Sequence, residues 1–391
     1  MKKAALLVAL AALFGGTQAN ATDWNWKGDV RYRYQSDLAS DPALTGEHSR
    51  DRHRTRVRVG VYPWINEELT GGVQLSSGGD GKETTSRNET LDDQFLADSV
   101  YLNEYFINFH PMLLDGKVNI LLGKRDVANT LTVLNDLVWD SDLTFEGMTL
   151  QYGKDVDGKD KDGINAVLGY YPLKENNLST TNTVEQDAYL LAVQAAYKGK
   201  TSAVTYHVGA GYYDYTHFDI QNANTTNYSP TYDYRGKDFN IVELFGTIGG
   251  QLTEKTPWKV TVQYAFNNAK KDVTTPNMDD EKRTAYLAGF RIGNAKEVGQ
   301  WSFGGDYVKI EQDALTFMTD SDRNIGGGNA NVPSNVNLEG MKLGVTYHMV
   351  KNMTVGATYF SFSDINDTDT TAVDSTTKTR HTLMLDTVVK F

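Results

Sequence analysis

The chain has 391 residues, a formal net charge of −12 at neutral pH and no cysteine. The acidic balance argues against nucleic acid as a partner, and the lack of cysteine excludes the disulfide-stapled class of exported domains. The 35 glycines and 22 tyrosines, against 8 prolines, favour strands and turns over long helices.

The N-terminus has the three parts of an export signal. Lys2 and Lys3 form a positive region, residues 4–14 are apolar, and Ala19-Asn20-Ala21 forms a small-residue cleavage site. The apolar stretch is shorter than the roughly 18 residues that a spanning helix needs. The sequence therefore predicts a signal peptide over residues 1–21 and a single exported domain over residues 22–391.

The first two predicted strands alternate strictly between two kinds of side chain. Val57 and Val59 lie on one face of an extended chain, and Arg56 lies on the other. Arginine facing lipid near the membrane midplane would cost about 2–4 kcal/mol, so the arginine face must be wet. The predicted pore-lining residues of these two strands are Arg31, Arg33, Arg54, Arg56 and Arg58.

The same period of two recurs to the last segment, 383–391, and gives about sixteen strands of roughly ten residues. Short connections such as 198–201 alternate with long polar ones such as 214–237, and aromatic residues gather near both strand ends. We therefore predict an all-β fold, a transmembrane antiparallel up-and-down β-barrel with long extracellular loops and short periplasmic turns. A secreted β-sandwich shares the alternation, but it does not explain the sorted aromatic residues.

The third long connection, 124–143, mixes acidic and apolar residues. A loop fully in water would seldom contain so many apolar side chains, so we expect it to fold into the lumen; a lid over the barrel mouth is the alternative. The predicted constriction-loop acids are Asp126, Asp136, Asp140 and Asp142.

The arginines of one strand face lie about 6.6 Å apart, so neighbouring pairs repel by about 0.6 kcal/mol even in water. Opposing carboxylates would offset this repulsion. We expect Arg54, Arg56 and Arg58 to face Asp136, Asp140 and Asp142 across the constriction, giving a transverse field that screens solutes by charge. The alternative is a solvated wall with diffuse counter-ions.

Several segments together resemble the putative porin family of Gram-negative outer membranes. They are the run 52–59, Leu122-Gly123-Lys124, Trp139-Asp140, Glu146-Gly147 and the terminal Phe391. The resemblance implies passive diffusion of small hydrophilic solutes and ions through an outer-membrane channel, and it implies that Phe391 ends an assembly signal read by the barrel-insertion machinery. The constriction motif of the general porins, rich in Pro, Glu, Phe and Gly, is absent.

The resemblance also implies the partners of the chain. They are outer-membrane lipids, lipopolysaccharide, the insertion machinery and the solutes. A homotrimer is one possible assembly. No cofactor or metal is expected. A channel specific for a sugar or an anion is an alternative within the same class.

Two further patterns carry weaker functional signals. The acidic run 155–162 fails the spacing of a calcium-binding loop and is interpreted as a solvated periplasmic turn. An outer-membrane hydrolase is the alternative outside the channel class, with His207 and Ser202 or His381 and Ser375 as candidate pairs.

Overall fold

A computed structural model describes most of the chain after the predicted signal peptide, which lies outside the described residues. The described residues are 23–40, 47–78, 86–92, 97–112, 114–175, 186–218, 236–271, 273–274, 278–325, 333–365 and 378–391. No helix in these ranges is long and apolar enough to cross a membrane.

The described ranges form one antiparallel sheet of seventeen strands, one of them only two residues long. In chain order the strands are β1 Asp23–Ser40, β2 Glu47–Asn66, β3 Leu69–Ser76, β4 Glu89–Thr90, β5 Tyr101–Phe109, β6 Val118–Asp126, β7 Thr144–Tyr152, β8 Gly163–Lys174, β9 Ala188–Lys200, β10 Val204–Thr216, β11 Asn240–Thr253, β12 Thr256–Asn267, β13 Thr284–Gly293, β14 Trp301–Ile310, β15 Leu338–Val350, β16 Met353–Asp364 and β17 Thr379–Lys390. A single helical turn, α1, covers Val127–Thr130.

The sheet closes on itself. Each long strand pairs with its neighbours in the sequence, and β17 pairs with β1, so no edge remains among the sixteen long strands. Phe391 completes this seam, because its amide donates to the Gly28 carbonyl at 3.1 Å and its carbonyl accepts from the Gly28 amide at 2.9 Å. The prediction of a closed, sixteen-stranded antiparallel barrel is confirmed.

The burial of the side chains follows the predicted alternation. On β8, Ile164, Leu168 and Tyr170 are exposed on the outside, whereas Asn165 and Val167 between them are buried on the inside. The outside is thus apolar and the inside polar or packed, as a membrane requires.

The start of β1 and the end of β17 lie at one end of the barrel, here called the turn end, where short connections such as 201–203 join the strands. The opposite end, the loop end, has the long connections. At the loop end the interior of the barrel is filled by an apolar core that includes side chains from β7 to β17 and from three connections. Two of these connections contain the inward loop, residues 127–143, and the second loop, residues 311–325.

Candidate functional site

The five predicted arginines form one inward-facing wall on β1 and β2. In the strand pairing Arg31 lies opposite Arg56, and Arg33 lies opposite Arg54. Four of them are buried, and Arg58 keeps about a quarter of its side chain exposed. Like charges placed directly opposite each other destabilise an antiparallel pair, so this wall needs partners.

Carboxylates from four parts of the molecule supply these partners. On β1, Asp29 contacts Arg56 at 3.1 Å and Arg58 at 2.6 Å. On β17, Asp386 contacts Arg33 at 2.7 Å. The inward and second loops each contribute one acid across the lumen. These are Asp142, 3.3 Å from Arg56, and Asp322, 3.4 Å from Arg33.

Arg31 has a different environment from its neighbours. Its guanidinium donates to Asn88 Oδ1 at 2.5 Å and to the Ser86 carbonyl at 3.3 Å. Among the described ion pairs it contacts no carboxylate, and its Nε has no hydrogen-bond partner. The wall therefore retains positive charge that its acidic neighbours do not fully offset.

The inward loop packs against the inner face of the barrel. Trp139 is 1 % exposed and meets Phe145 and Tyr213 edge to face, with ring centroids 5.0 and 4.9 Å apart. Gln194 on β9 accepts from the Thr132 amide at 2.7 Å and donates to the Thr132 carbonyl at 3.0 Å. These contacts place the loop inside the lumen, as expected, rather than over its mouth as a lid.

The four predicted acids of this region have four different environments. Asp126 caps α1 by accepting from the Asn129 amide at 2.9 Å. Among the described contacts of these four acids, those with the arginine wall belong to Asp142. Asp140 accepts from the amide and hydroxyl of Ser321, at 3.0 and 2.9 Å. Asp136 lies 4.0 Å from Lys342 on β15.

The expectation that Asp136 and Asp140 face Arg54, Arg56 and Arg58 is therefore wrong. The buried ring of Trp139 fixes the chain next to Asp140, and the carboxylate meets the second loop instead. Burial and, to a smaller extent, the nearby Asp320 raise the pKa of Asp140 to about 8.

The second loop is a further element that folds into the lumen, and it was not among the predicted constriction residues. Its Arg323 is fully buried and contacts Asp306 on β14 at 3.2 Å, Asp320 at 3.5 Å and the Asp136 carbonyl at 2.6 Å. The apolar residues 314–315 and 317–318 were the available signal, since they suggest burial for the same reason as those of the inward loop.

The interpretation of residues 155–162, between β7 and β8, as a solvated periplasmic turn is also wrong. Residues 153–162, here called the inward turn, are not solvated outside the barrel. Lys154 is 1 % exposed and donates to Thr132 of the inward loop at 3.1 Å. No group of acids or histidines in the described residues is arranged to hold a metal ion.

A cavity of about 210 Å³ remains between the inward loop and the wall of β12 to β16. Small inward residues of the wall, such as Gly304, Gly344 and Thr346, leave this space open. Asp136 and Asp306 bring negative charge to its lining. Its cationic lining residues, none of which the sequence analysis singled out, are Lys259, Arg291 and Lys342.

The structure does not bring together the candidate hydrolase pair His207 and Ser202. His207 lies inside, with Nε2 3.7 Å from Asp160, whereas Ser202 is exposed in the turn after β9. His381 stacks on Tyr359 on the outside of the barrel, its Nδ1 2.9 Å from the Tyr359 hydroxyl. Ser375 lies outside the described residues.

Comparison with known proteins gives one family and a set of similar folds. A family profile described as "Putative porin" matches residues 13–241. OprB of Pseudomonas putida is 11 % identical, with a TM-score of 0.56 and 97 % of each chain covered. An anion-selective porin from Comamonas acidovorans is 10 % identical, with a TM-score of 0.52, 94 % of this chain covered and 100 % of that one. No curated protein sequence matches the chain.

Proposed function

The chain belongs to the putative porin family of the outer membrane, and from this membership we propose that it forms a water-filled channel for passive diffusion of small polar solutes and ions. The observation that supports this most directly is the open cavity inside a closed barrel, lined by small and charged side chains. The lumen of a sixteen-stranded barrel is wide enough for an aqueous path when loops only partly fill it.

We propose that residues 1–21 are removed on export and that residues 22–391 form the mature barrel. In this proposal lipids and lipopolysaccharide contact the exposed apolar side chains of the outer face, such as Ile107 and Val262. Phe391 at the β1 and β17 seam is the proposed end of the signal for the insertion machinery. A homotrimer is an expectation from the family resemblance alone.

We further propose that the arginine wall makes the channel prefer anions. Arg31 makes no ion pair in the described residues, and Arg58 is partly exposed to the lumen. Asp142 and Asp322 neutralise part of the wall, so they limit the preference. One of the proteins with a similar fold, at 10 % identity, is itself an anion-selective porin.

A liposome-swelling assay tests diffusion directly. Liposomes that contain the purified mature protein should swell in isotonic solutions of small sugars and amino acids, and the rate should fall as the solute grows. Swelling no faster than that of protein-free liposomes would overturn the proposed function.

A further inference from the structure

The inward turn has more residues than are needed to link β7 to β8. Strands as close as β7 and β8 need only about two to five linking residues. Residues 153–162 instead form a separate small hairpin. Its backbone pairs Lys154 with Asp160 in a single antiparallel β-bridge, and the Asp155 amide donates to the Lys159 carbonyl at 2.9 Å. The Asp155 carboxylate accepts from the amides of Asp157 and Lys159, at 3.0 and 2.8 Å, which fixes the shape of the tip.

Polar side chains of the barrel wall hold this hairpin inside the lumen. Each of them donates to a backbone carbonyl of the turn, at 2.8 or 2.9 Å. They are Asn108 on β5 to Val156, Asn119 on β6 to Asp155, Arg125 on β6 to Asp157, and Lys198 on β9 to Asp160. Backbone carbonyls that fold into the barrel would otherwise be left without partners, so these donors make the inward position stable.

The hairpin touches the inward loop at two points. Lys154 Nζ lies 2.7 Å from Asp160 and donates to the Leu131 carbonyl at 3.3 Å. The Thr132 hydroxyl donates to the same Asp160 carboxylate at 3.0 Å. At the tip, a Cβ atom on Gly158 would lie 1.9 Å from the Asn129 carbonyl oxygen, so that only glycine allows the close approach.

We propose that the inward turn is a brace that holds the inward loop in position, and that Lys154 and Asp160 are the positioning residues of this brace. The proposal rests on the proposed channel function, because the inward loop narrows the path that solutes take. A buried ion pair is costly unless each partner is fully hydrogen-bonded, and here the remaining hydrogen bonds of the pair go to the loop. The pair therefore ties the two segments together rather than stabilising the turn alone.

The first test replaces the buried lysine and an exposed lysine of the same turn. Lys154→Met removes the contacts with Leu131 and Thr132, whereas Lys159→Met removes the same charge where the side chain is exposed. Hydrogen exchange of the Leu131 and Thr132 amides in the folded, detergent-solubilised protein should rise about tenfold or more in Lys154→Met, the factor expected for loss of one buried charge-assisted hydrogen bond. Lys159→Met should match the wild type.

A second pair of variants removes the partner charge. Asp160→Asn keeps the shape of the side chain and should also speed exchange in the inward loop. Asp162→Asn is its control, because Asp162 pairs with Lys200 at 3.1 Å with both side chains largely exposed, and such pairs contribute little. In planar bilayers, Lys154→Met and Asp160→Asn should add open-channel noise that both controls lack.

The exchange measurement does not depend on conduction. Unchanged exchange at Leu131 and Thr132 in both folded variants, Lys154→Met and Asp160→Asn, would overturn the brace. A wild-type barrel that passes no current would instead contradict the proposed channel, while the exchange result would still decide the brace.

Discussion

The two sides of the lumen differ in what their inward positions carry. On β7 and β10 the inward residues Phe145 and Tyr213 pack against Trp139, and on β8 Tyr171 packs against Phe145, so that these rings fill the barrel. On β14, β15 and β16 the inward side chains near the loop end, such as Phe360, join this core, whereas those nearer the turn end are mostly glycine, serine and threonine, with a few charged residues, and line the cavity. On β1 and β2 the inward residues include the arginines of the wall. Side-chain size and charge on the inner face thus decide where a loop packs and where water remains.

The seam of the barrel lies on the open side, and breaking it should have the largest effect. Deleting Phe391 removes the last backbone pairing with Gly28 and leaves backbone groups unpaired in lipid, at several kcal/mol each. Phe391→Asp keeps these backbone groups but replaces the aromatic ring of the proposed signal with a charge. Outer-membrane levels, measured by immunoblot of fractionated cells, should fall several-fold with protein retained in the periplasm. Val350→Asp, at the turn end of β15, tests whether any added charge has this effect. Unchanged surface levels after deletion of Phe391 would show that it is not an assembly signal.

Removing the buried ring that anchors the inward loop should open the side of the lumen that the loop fills. Trp139→Ala deletes a fully buried ring, a change that typically costs about 3–5 kcal/mol. We expect the inward loop to detach while the barrel stays folded and heat-modifiable on gels. Single-channel conductance should then increase and become noisier, whereas Trp301→Ala, on the exposed outer face, should not change it. Wild-type conductance in Trp139→Ala would mean that the loop does not narrow the path.

Reversing one charge of the arginine wall should change selectivity more than conductance. Arg56→Glu should shift the reversal potential in a salt gradient toward cations, and Asp142→Asn should shift it toward anions. The Debye length is about 10 Å at 0.1 M and about 3 Å at 1 M, so both shifts should shrink at high salt. Val57→Leu, on the outer face of the same strand, is the control. A wild-type reversal potential for folded Arg56→Glu at about 0.1 M salt would mean that the wall does not set selectivity.

The smallest expected effect concerns pH and the contact between the two loops. Burial raises the pKa of Asp140 to about 8, above the roughly 3.9 of an unfolded aspartate, so the folded state favours the neutral acid. The loop contact should therefore weaken as the pH rises from about 4 to about 8, where Asp140 ionises beside Asp320. Open-channel noise should be greater at pH 9 than at pH 6. Asp140→Asn should remove most of this difference, and an equal pH response in that variant would exclude Asp140 as its source.

The sequence predicted the barrel wall better than its contents. The alternation of Val57 with Arg56 determines which face each side chain takes, because the period of an extended chain is two. It does not determine which carboxylate reaches Arg56, since Asp142 and Asp140 are two residues apart and only the packing of Trp139 separates their partners.

The inward positions of two segments were not predicted, for different reasons. The apolar residues near Phe317 were a usable signal for burial of the second loop, by the reasoning applied to Trp139. The inward turn gave no such signal, because Asp155 and Asp160 are the residues expected of a solvated turn. Its position depends on donors from distant strands, such as Asn108 and Lys198, that no local pattern identifies.

The most direct test of the channel is a planar-bilayer recording on the purified mature protein. We expect stepwise insertion events of uniform size, with a current proportional to voltage, from protein that shows heat-modifiable migration and is therefore folded. Folded, heat-modifiable protein that inserts into the bilayer without any conductance steps would contradict it.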